Sequence, residues 1–261
     1  MKAIILAAGK GTRLGEQGAK LPKGMLPFMG KPIIGWQLAV LRMAGVEDIV
    51  VVTGHCREAI DFPGVRYYHN SQYATTNMVE SLMCARSEFN QDFIMAYADI
   101  LYDINLCRLV INSPYDIAVA VDTNWRDYWN FRYGTTEKDL ESLKVSSDGR
   151  IEELGSPVVG SAGVDYRYIG LIKFSVKGAA QAAELYDEKS VRQESWIASG
   201  KSFHQGYMTD LLNELIQATI NIRPVVSRNG WLEFDTADDY KLACRLAGQG
   251  GLGRFLNLNT L

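Results

Sequence analysis

Two groups of residues in this chain have the types and spacing that phosphate and metal chemistry requires. The first is the glycine-rich turn LAAGKGTRL (6–14), which directly follows a short apolar run. Glycines at 9 and 11 let backbone N–H groups approach a ligand closely, as phosphate-binding loops do. Counting excludes three better-known loops. There is no GxxxxGK[ST] string, the third glycine of a GxGxxG fingerprint falls on Leu14, and neither HRD nor DFG occurs. The second group is acidic. Asp99 closes the strand pattern DFIMAYAD (92–99), at the carboxyl edge where open α/β sheets place ligands. Glu233 and Asp235 stand two apart in WLEFDTADDY (231–240), so on a strand both point to one face. Thr236 and Asp239 read as a capping box that turns the chain directly after Asp235. The plainer alternative for these acids is a charge cluster at a helix N-terminus.

The elements that must position these groups alternate between strand and helix. KAIILAA (2–8), EDIVVVTG (47–54), VRYYHN (65–70), DFIMAYAD (92–99) and DIAVAVD (116–122) read as strands. Segments 32–44 and 77–87 read as helices, with Ile34, Leu38 and Leu41 on one face and Met78, Leu82 and Ala85 on the other's. Such alternation predicts an α/β fold, with a mostly parallel twisted sheet flanked by helices. After residue 122 the pattern changes. WRDYWNFRY (125–133) is aromatic and basic, and LKVSSDGRIEEL (143–154) reads as a hairpin about Asp148-Gly149. A strand follows at 166–175, helices at 176–188 and 206–218, a strand-like stretch at 222–235 and a last helix at 236–247. The tail 248–261 is glycine-rich, ends in a small apolar cluster, and is expected to fray or to pack on a neighbour. We read one domain: 1–121 binds nucleotide, 122–235 is a β-rich excursion with acceptor and metal residues, and 236–261 is helix and tail.

Composition narrows the function classes. The 261 residues are 47% hydrophobic and 22% charged, an ordinary globular mix. Twenty-seven Lys and Arg against 30 Asp and Glu leave a net charge of −3, which argues against a nucleic-acid-binding protein. No apolar run approaches the roughly 18 residues of a membrane span, and the N-terminus shows no signal-peptide pattern. The four cysteines are widely spaced without CxxC pairing, so neither zinc nor a disulfide framework is expected. A cytoplasmic enzyme, monomeric or homodimeric, is the expectation.

Pro22-Lys23, Lys31-Pro32, the following helix and AGVEDIVVVTG (44–54) extend the opening motif. Over residues 2–54 the chain resembles the nucleotidyltransferases that join a nucleoside triphosphate to a sugar phosphate or phospho-alcohol, whose opening is LAAGxGTRL, then PK, then KP. The resemblance implies the nucleotide-diphospho-sugar transferase fold, Mg²⁺ as cofactor and pyrophosphate as a product. It implies that Leu6, Ala7, Ala8, Gly9, Gly11 and Thr12 form the nucleotide site, with Ala7 to Gly9 at the base. Arg13 would grip the β- and γ-phosphates, and Lys23 would sit beside the α-phosphate. A guanidinium suits paired phosphate oxygens, and an ammonium suits charge building at the α-phosphorus. Asp99 takes the place of the family's metal aspartate, although Ala98 replaces the usual preceding glycine. Glu233 and Asp235 resemble the E-x-D pair that completes the Mg²⁺ site in the family's cytidylyltransferases. Mg²⁺ needs few protein carboxylates, because phosphates and water supply its other ligands.

Two departures bear on substrates. NMVESL (77–82) replaces the GLAxA-like string of sugar-phosphate enzymes and is closer to phosphocholine and phosphonate cytidylyltransferases. Ser81 would meet the pyrimidine edge, while Asn77 serves the nucleotide or simply caps the helix. Gly155-Ser156-Pro157 stands where sugar enzymes carry EKP. Acceptor candidates are Asp122, Trp125, Arg132 and Glu153: the arginine for a phosphate, the indole for a cationic head and the acids for an amine. Trp129 reads as packing, and His55, His69 and His204 need no role, because an acceptor phosphate is already ionised near neutral pH. The expected reaction joins CTP to a small phosphorylated or phosphonate acceptor, as in cell-surface or phosphonate biosynthesis. The alternative is a sugar-1-phosphate nucleotidyltransferase using UTP, dTTP or CTP.

Overall fold

A computed structural model of the protein describes residues 1–15 and 21–259. The strands are β1 (Lys2–Ala7), β2 (Pro27–Phe28), β3 (Lys31–Pro32), β4 (Asp48–Thr53), β5 (Val65–His69), β6 (Phe93–Tyr97), β7 (Ile100–Tyr102), β8 (Ile117–Asp122), β9 (Glu141–Val145), β10 (Ile151–Pro157), β11 (Arg167–Phe174), β12 (Ile222–Ser227) and β13 (Trp231–Glu233). The α-helices are α1 (Ile33–Met43), α2 (Met78–Cys84), α3 (Ile104–Ile111), α4 (Trp125–Tyr133), α5 (Val176–Arg192), α6 (Met208–Gln217) and α7 (Ala237–Gly248).

Seven strands form one sheet in the order β12-β8-β11-β6-β1-β4-β5. Strand β11 pairs antiparallel with both neighbours, and every other pairing is parallel. Strand β1, in the interior of the sheet, is buried throughout. Its side chains alternate with the period of two: Ala3, Ile5 and Ala7 join one apolar cluster, Ile4 and Leu6 the other. The first cluster packs α1, α3, α4, β13 and the tail on one face. The second packs α2, α5, α6 and the β9–β10 hairpin on the opposite face. The expected mostly parallel sheet with helices on both sides is the observed architecture. No helix among the described residues is long and apolar enough to cross a membrane.

Several segments differ from the sequence reading. The aromatic and basic segment 125–133 is a helix, ended by Gly134 in the left-handed region (φ 69°). The strand-like stretch 222–235 is two strands in different sheets: β12 at one edge of the main sheet and β13 paired with β7. The tail packs on the protein's own core rather than fraying or leaving for a neighbour. Phe255, Leu256 and Leu258 are buried, and the Phe255 carbonyl accepts from the N–H groups of Gly230 (2.7 Å) and Trp231 (3.1 Å). Residues 260 and 261 lie outside the described residues.

Candidate active site

The carboxyl ends of the neighbouring strands β1 and β6 open on a cavity of about 330 Å³. One wall is the turn after β1, with Leu6, Ala7, Ala8, Gly9, Gly11, Thr12 and Arg13 all facing the cavity. Lys23, Asn77, Ser81 and Asp99 line it as well. Every nucleotide-site candidate of the sequence therefore meets at one place. The turn is held by close backbone packing: the His55 N–H donates to the Ala8 carbonyl (3.1 Å), and a Cβ on Gly54 would fall 2.5 Å from that oxygen. Only glycine permits that approach.

Asp99 and Asp235 converge through a short backbone relay. Strand β13 pairs with β7, matching Glu233 to Ile100, and the Phe234 N–H then donates to the Asp99 carbonyl at 2.8 Å. Directly beyond, the capping box forms as expected: Asp239 N–H to Thr236 Oγ1 (3.1 Å) and Thr236 N–H to Asp239 Oδ2 (2.9 Å). Both aspartates reach the same ammonium: Lys23 Nζ lies 3.0 Å from Asp99 Oδ2 and 2.6 Å from Asp235 Oδ1. Arg13 Nη1 bonds the other oxygen of Asp235, and its side chain is otherwise largely exposed at the cavity. Burial by itself would lower the Lys23 pKa, but Asp99 and Asp235 outweigh it and the net shift is upward. Lys23 is a fixed cation at neutral pH.

Glu233 is set back from this pair. Arg132 Nη1 donates to its Oε2 at 2.6 Å, and the same guanidinium forks onto Asp239 at 2.9 and 2.8 Å. Burial raises the Glu233 pKa, Arg132 and Arg167 oppose the rise, and Asp99 and Asp235 add to it. Among the described residues, no three His, Cys, Asp or Glu side chains converge closely enough to hold a metal by themselves. The donor set nevertheless suits a hard cation that takes few carboxylates: two aspartates aimed at one point beside the cavity, with oxygen ligands only.

Three of the four acceptor candidates, Asp122, Trp125 and Arg132, need correction. Asp122 is fully buried and spent on structure: it accepts from Trp231 Nε1 (2.9 Å) and from the N–H groups of Asn124 (2.8 Å) and Asn229 (3.0 Å). Trp125 is also fully buried, its indole N–H donating to the Val164 carbonyl, so it offers no face to a cationic head. The Arg132 side chain is 1% exposed and ion-paired twice, so it orients Glu233 and Asp239 rather than meeting a phosphate. Glu153 pairs with Lys144 across the β9–β10 hairpin. Trp129 packs in the aromatic cluster with Trp125, Tyr128 and Trp231, as its reading had it.

Several contributors escaped the sequence reading, among them Asn70, Thr76 and Tyr207. Asn70, just past β5, bonds the Ser81 hydroxyl, and Thr76 and Tyr207 line the cavity. The Tyr207 segment reaches the site because the His204 and Gly206 carbonyls accept from the N–H groups of Asn77 and Val79. Nothing local near residue 207 signals a partner so distant in sequence.

Comparison with known proteins agrees with this geometry. The MobA-like NTP transferase domain matches residues 3–193. The chain is 32% identical over 253 residues to the CTP:phosphoglutamine cytidylyltransferase of Campylobacter jejuni, covering 93% of this chain and 98% of that protein. It is 31% identical over 155 residues to the choline-phosphate cytidylyltransferase of Streptococcus pneumoniae, covering 58% and 67% respectively. The solved CTP:phosphocholine cytidylyltransferase from Streptococcus pneumoniae superposes with a TM-score of 0.72 at 22% identity, over 94% of this chain and 98% of that one, which shows the shared fold. The chain belongs to the MobA-like NTP transferase family and is a nucleotidyltransferase.

Proposed function

We propose that the protein is a Mg²⁺-dependent cytidylyltransferase, joining CTP to a small phosphorylated acceptor to give a CMP-linked product and pyrophosphate. One observation carries the reading: Asp99 and Asp235 meet at Lys23 on the rim of a cavity whose wall is the glycine-rich turn. In the reaction an ionised acceptor oxygen attacks the α-phosphorus of CTP, the bond from that phosphorus to the bridging oxygen breaks, and pyrophosphate leaves. No general base is required, so alignment and charge neutralisation carry the catalysis. The turn 6–12 holds the nucleotide by its backbone, Arg13 takes the outer phosphates, and Lys23 neutralises charge at the α-phosphate. Asp99 and Asp235, with Glu233 behind them, would hold the Mg²⁺, which when bound supplies Lewis-acid stabilisation of the phosphate oxygens. Asn77 and Ser81 belong to the nucleotide site.

CTP and a non-sugar acceptor are supported by the NMVESL string, the absence of EKP after the hairpin, and the cytidylyltransferases among the relatives. A relative that covers 93% of this chain is named for phosphoglutamine. An acceptor that pairs a phosphoryl group with amino-acid functions is the class we favour, ahead of phosphocholine and aminoalkylphosphonates. The test is pyrophosphate release with Mg²⁺, crossing the four nucleoside triphosphates against phosphoglutamine, phosphocholine, 2-aminoethylphosphonate and hexose 1-phosphates. Release with CTP and a non-sugar acceptor, lost in Asp99→Ala, is expected. Release only with UTP or dTTP and a hexose 1-phosphate overturns the proposal.

A further inference from the structure

Gln37 is fully buried on α1, yet its side chain serves the turn that carries Asp99. Strand β6 ends at Tyr97 and β7 begins at Ile100, so Ala98 and Asp99 make the break between them. Gln37 Nε2 donates to both flanking carbonyls, Tyr97 at 2.8 Å and Ile100 at 2.5 Å. Two carbonyl oxygens call for a donor between them, which settles the amide with its nitrogen on the turn. The amide oxygen then has no hydrogen-bond partner among the described residues. A buried acceptor left unpaired is costly, and an apolar side chain would fill the space without that cost. The position uses the two N–H groups. Backbone holds the middle of the break: the Ala98 N–H donates to the Leu6 carbonyl (3.1 Å), and the Asp99 carbonyl accepts from Phe234 (2.8 Å). Gln37 holds its two ends. The same helix also seats Lys23. Ile34 lies one turn before Gln37, and a Cβ on Gly24 would fall 2.6 Å from Ile34 and 2.9 Å from the Ala98 carbonyl oxygen. The Lys23-Gly24 backbone therefore lies directly against both α1 and the Asp99 turn.

We infer that Gln37 is a positioning residue for Asp99, fixing through the main chain where that carboxylate meets Lys23 and Mg²⁺. The inference rests on the Mg²⁺ reading above and deepens it. One turn of α1 gauges the 3.0 Å between Lys23 Nζ and Asp99 Oδ2, with Ile34 against the lysine segment and Gln37 against the aspartate turn. Both Gln37 bonds go to main chain, so it acts on the carboxylate without touching it. Without those bonds the carboxylate is still present, but the two ends of its turn are released. Mg²⁺ demands near-ideal octahedral geometry, so it is sensitive to such loosening. Partners behind a metal ligand commonly matter to affinity for this reason.

The experiment measures affinity for Mn²⁺, standing in for Mg²⁺, with the unreactive α,β-methylene analogue of CTP bound. Protein is kept in excess so that all the analogue is bound, and free Mn²⁺ is read from its EPR signal. Asp99→Asn marks the full loss. Gln37→Met keeps the side-chain length and removes both donors. It is expected to weaken Mn²⁺ binding about tenfold, with affinity for the analogue in EDTA staying within about twofold. Val40→Ala trims a buried side chain of the same helix and leaves both Gln37 bonds in place. Its urea midpoint is expected to fall with Mn²⁺ affinity unchanged. Gln37→Leu takes over if the methionine variant does not fold. Wild-type Mn²⁺ affinity in the folded Gln37 variant overturns the inference. So does an equal loss in Val40→Ala, which would make the effect one of general stability, and so does failure of both Gln37 variants to fold. In each of these cases, weakened Mn²⁺ binding in Asp99→Asn leaves the metal reading standing. Unchanged Mn²⁺ affinity in Asp99→Asn overturns both.

Discussion

The backbone N–H of Phe234 donates to the carbonyl oxygen of Asp99 at 2.8 Å, and this bond ties the two acidic segments together. Strand β7 leads away from Asp99 while β13 leads up to Phe234, so their antiparallel pairing sets Asp235 beside Asp99. Lys23 then holds both carboxylates at hydrogen-bond distance. The site is thus governed by sheet register as much as by the side chains themselves.

Lys23→Met keeps most of the side-chain volume and removes the ammonium. We expect kcat for pyrophosphate release to fall by about 10²–10³-fold, the range for losing one preorganised electrostatic contact in a transition state. The apparent KM for CTP should change far less, since Arg13 and the turn remain. Steady-state kinetics separate the two; a large KM effect with unchanged kcat would mark Lys23 as a ground-state contact only.

Asp99→Asn and Asp235→Asn should each raise the Mg²⁺ concentration needed for half-maximal rate, by tenfold or more given the few carboxylates such a site uses. Glu233→Gln should have a smaller effect, because its carboxylate is already paired with Arg132. A Mg²⁺ titration of the three variants at saturating CTP orders them.

Arg132→Ala removes the cation that Glu233 and the buried Asp239 share, leaving only the more distant Arg167 near Glu233. Removing one partner of a buried pair typically costs roughly 3–5 kcal/mol, which should appear as a lower urea midpoint. Had Arg132 been a surface phosphate ligand, the urea midpoint would scarcely move and the acceptor KM would rise instead.

Glu88 predicts a pH dependence of stability. Its carboxyl is held at about 2, chiefly by the Arg66 hydrogen bond, against the opposing effect of burial and with help from Lys2 and Tyr68. A carboxyl with a depressed folded-state pKa contributes stability that is fully present above its unfolded value near 4.5 and is lost as pH falls from there towards 2. We expect about 2 kcal/mol from this group, after discounting for the half-exposed Arg66. Urea midpoints at pH 6, 4 and 3 should converge between wild type and Glu88→Gln as the pH drops.

What the sequence made legible was local. The turn 6–14, Pro22-Lys23, the strand ending near Asp99 and the Thr236–Asp239 cap are short-range patterns, and the structure forms each where the residues stand. The acceptor residues were misread for the opposite reason. Asp122, Trp125 and Arg132 look available in a string of aromatic and basic residues, but their partners come from Trp231, Val164, Glu233 and Asp239. A buried polar side chain must be paired, and those pairings exist only once β13, α7 and the segment before β11 have docked. Asn70 was passed over because a single asparagine after a strand has no local signature. Its meaning lies in the Ser81 hydroxyl it bonds.

The ion pair between Lys23 and Asp235 spans 212 residues of chain, with Asp99 between them in sequence. During synthesis the nucleotide turn and Asp99 emerge from the ribosome well before β13 exists to pair with β7. A nascent chain at that stage has the glycine-rich turn and only one of the two converging aspartates. Long-range contacts of this kind form late in folding. The pairing of both aspartates with Lys23 is therefore reserved for completed molecules, and a ligand bound between them would act as a clasp that slows the β13 segment from peeling away.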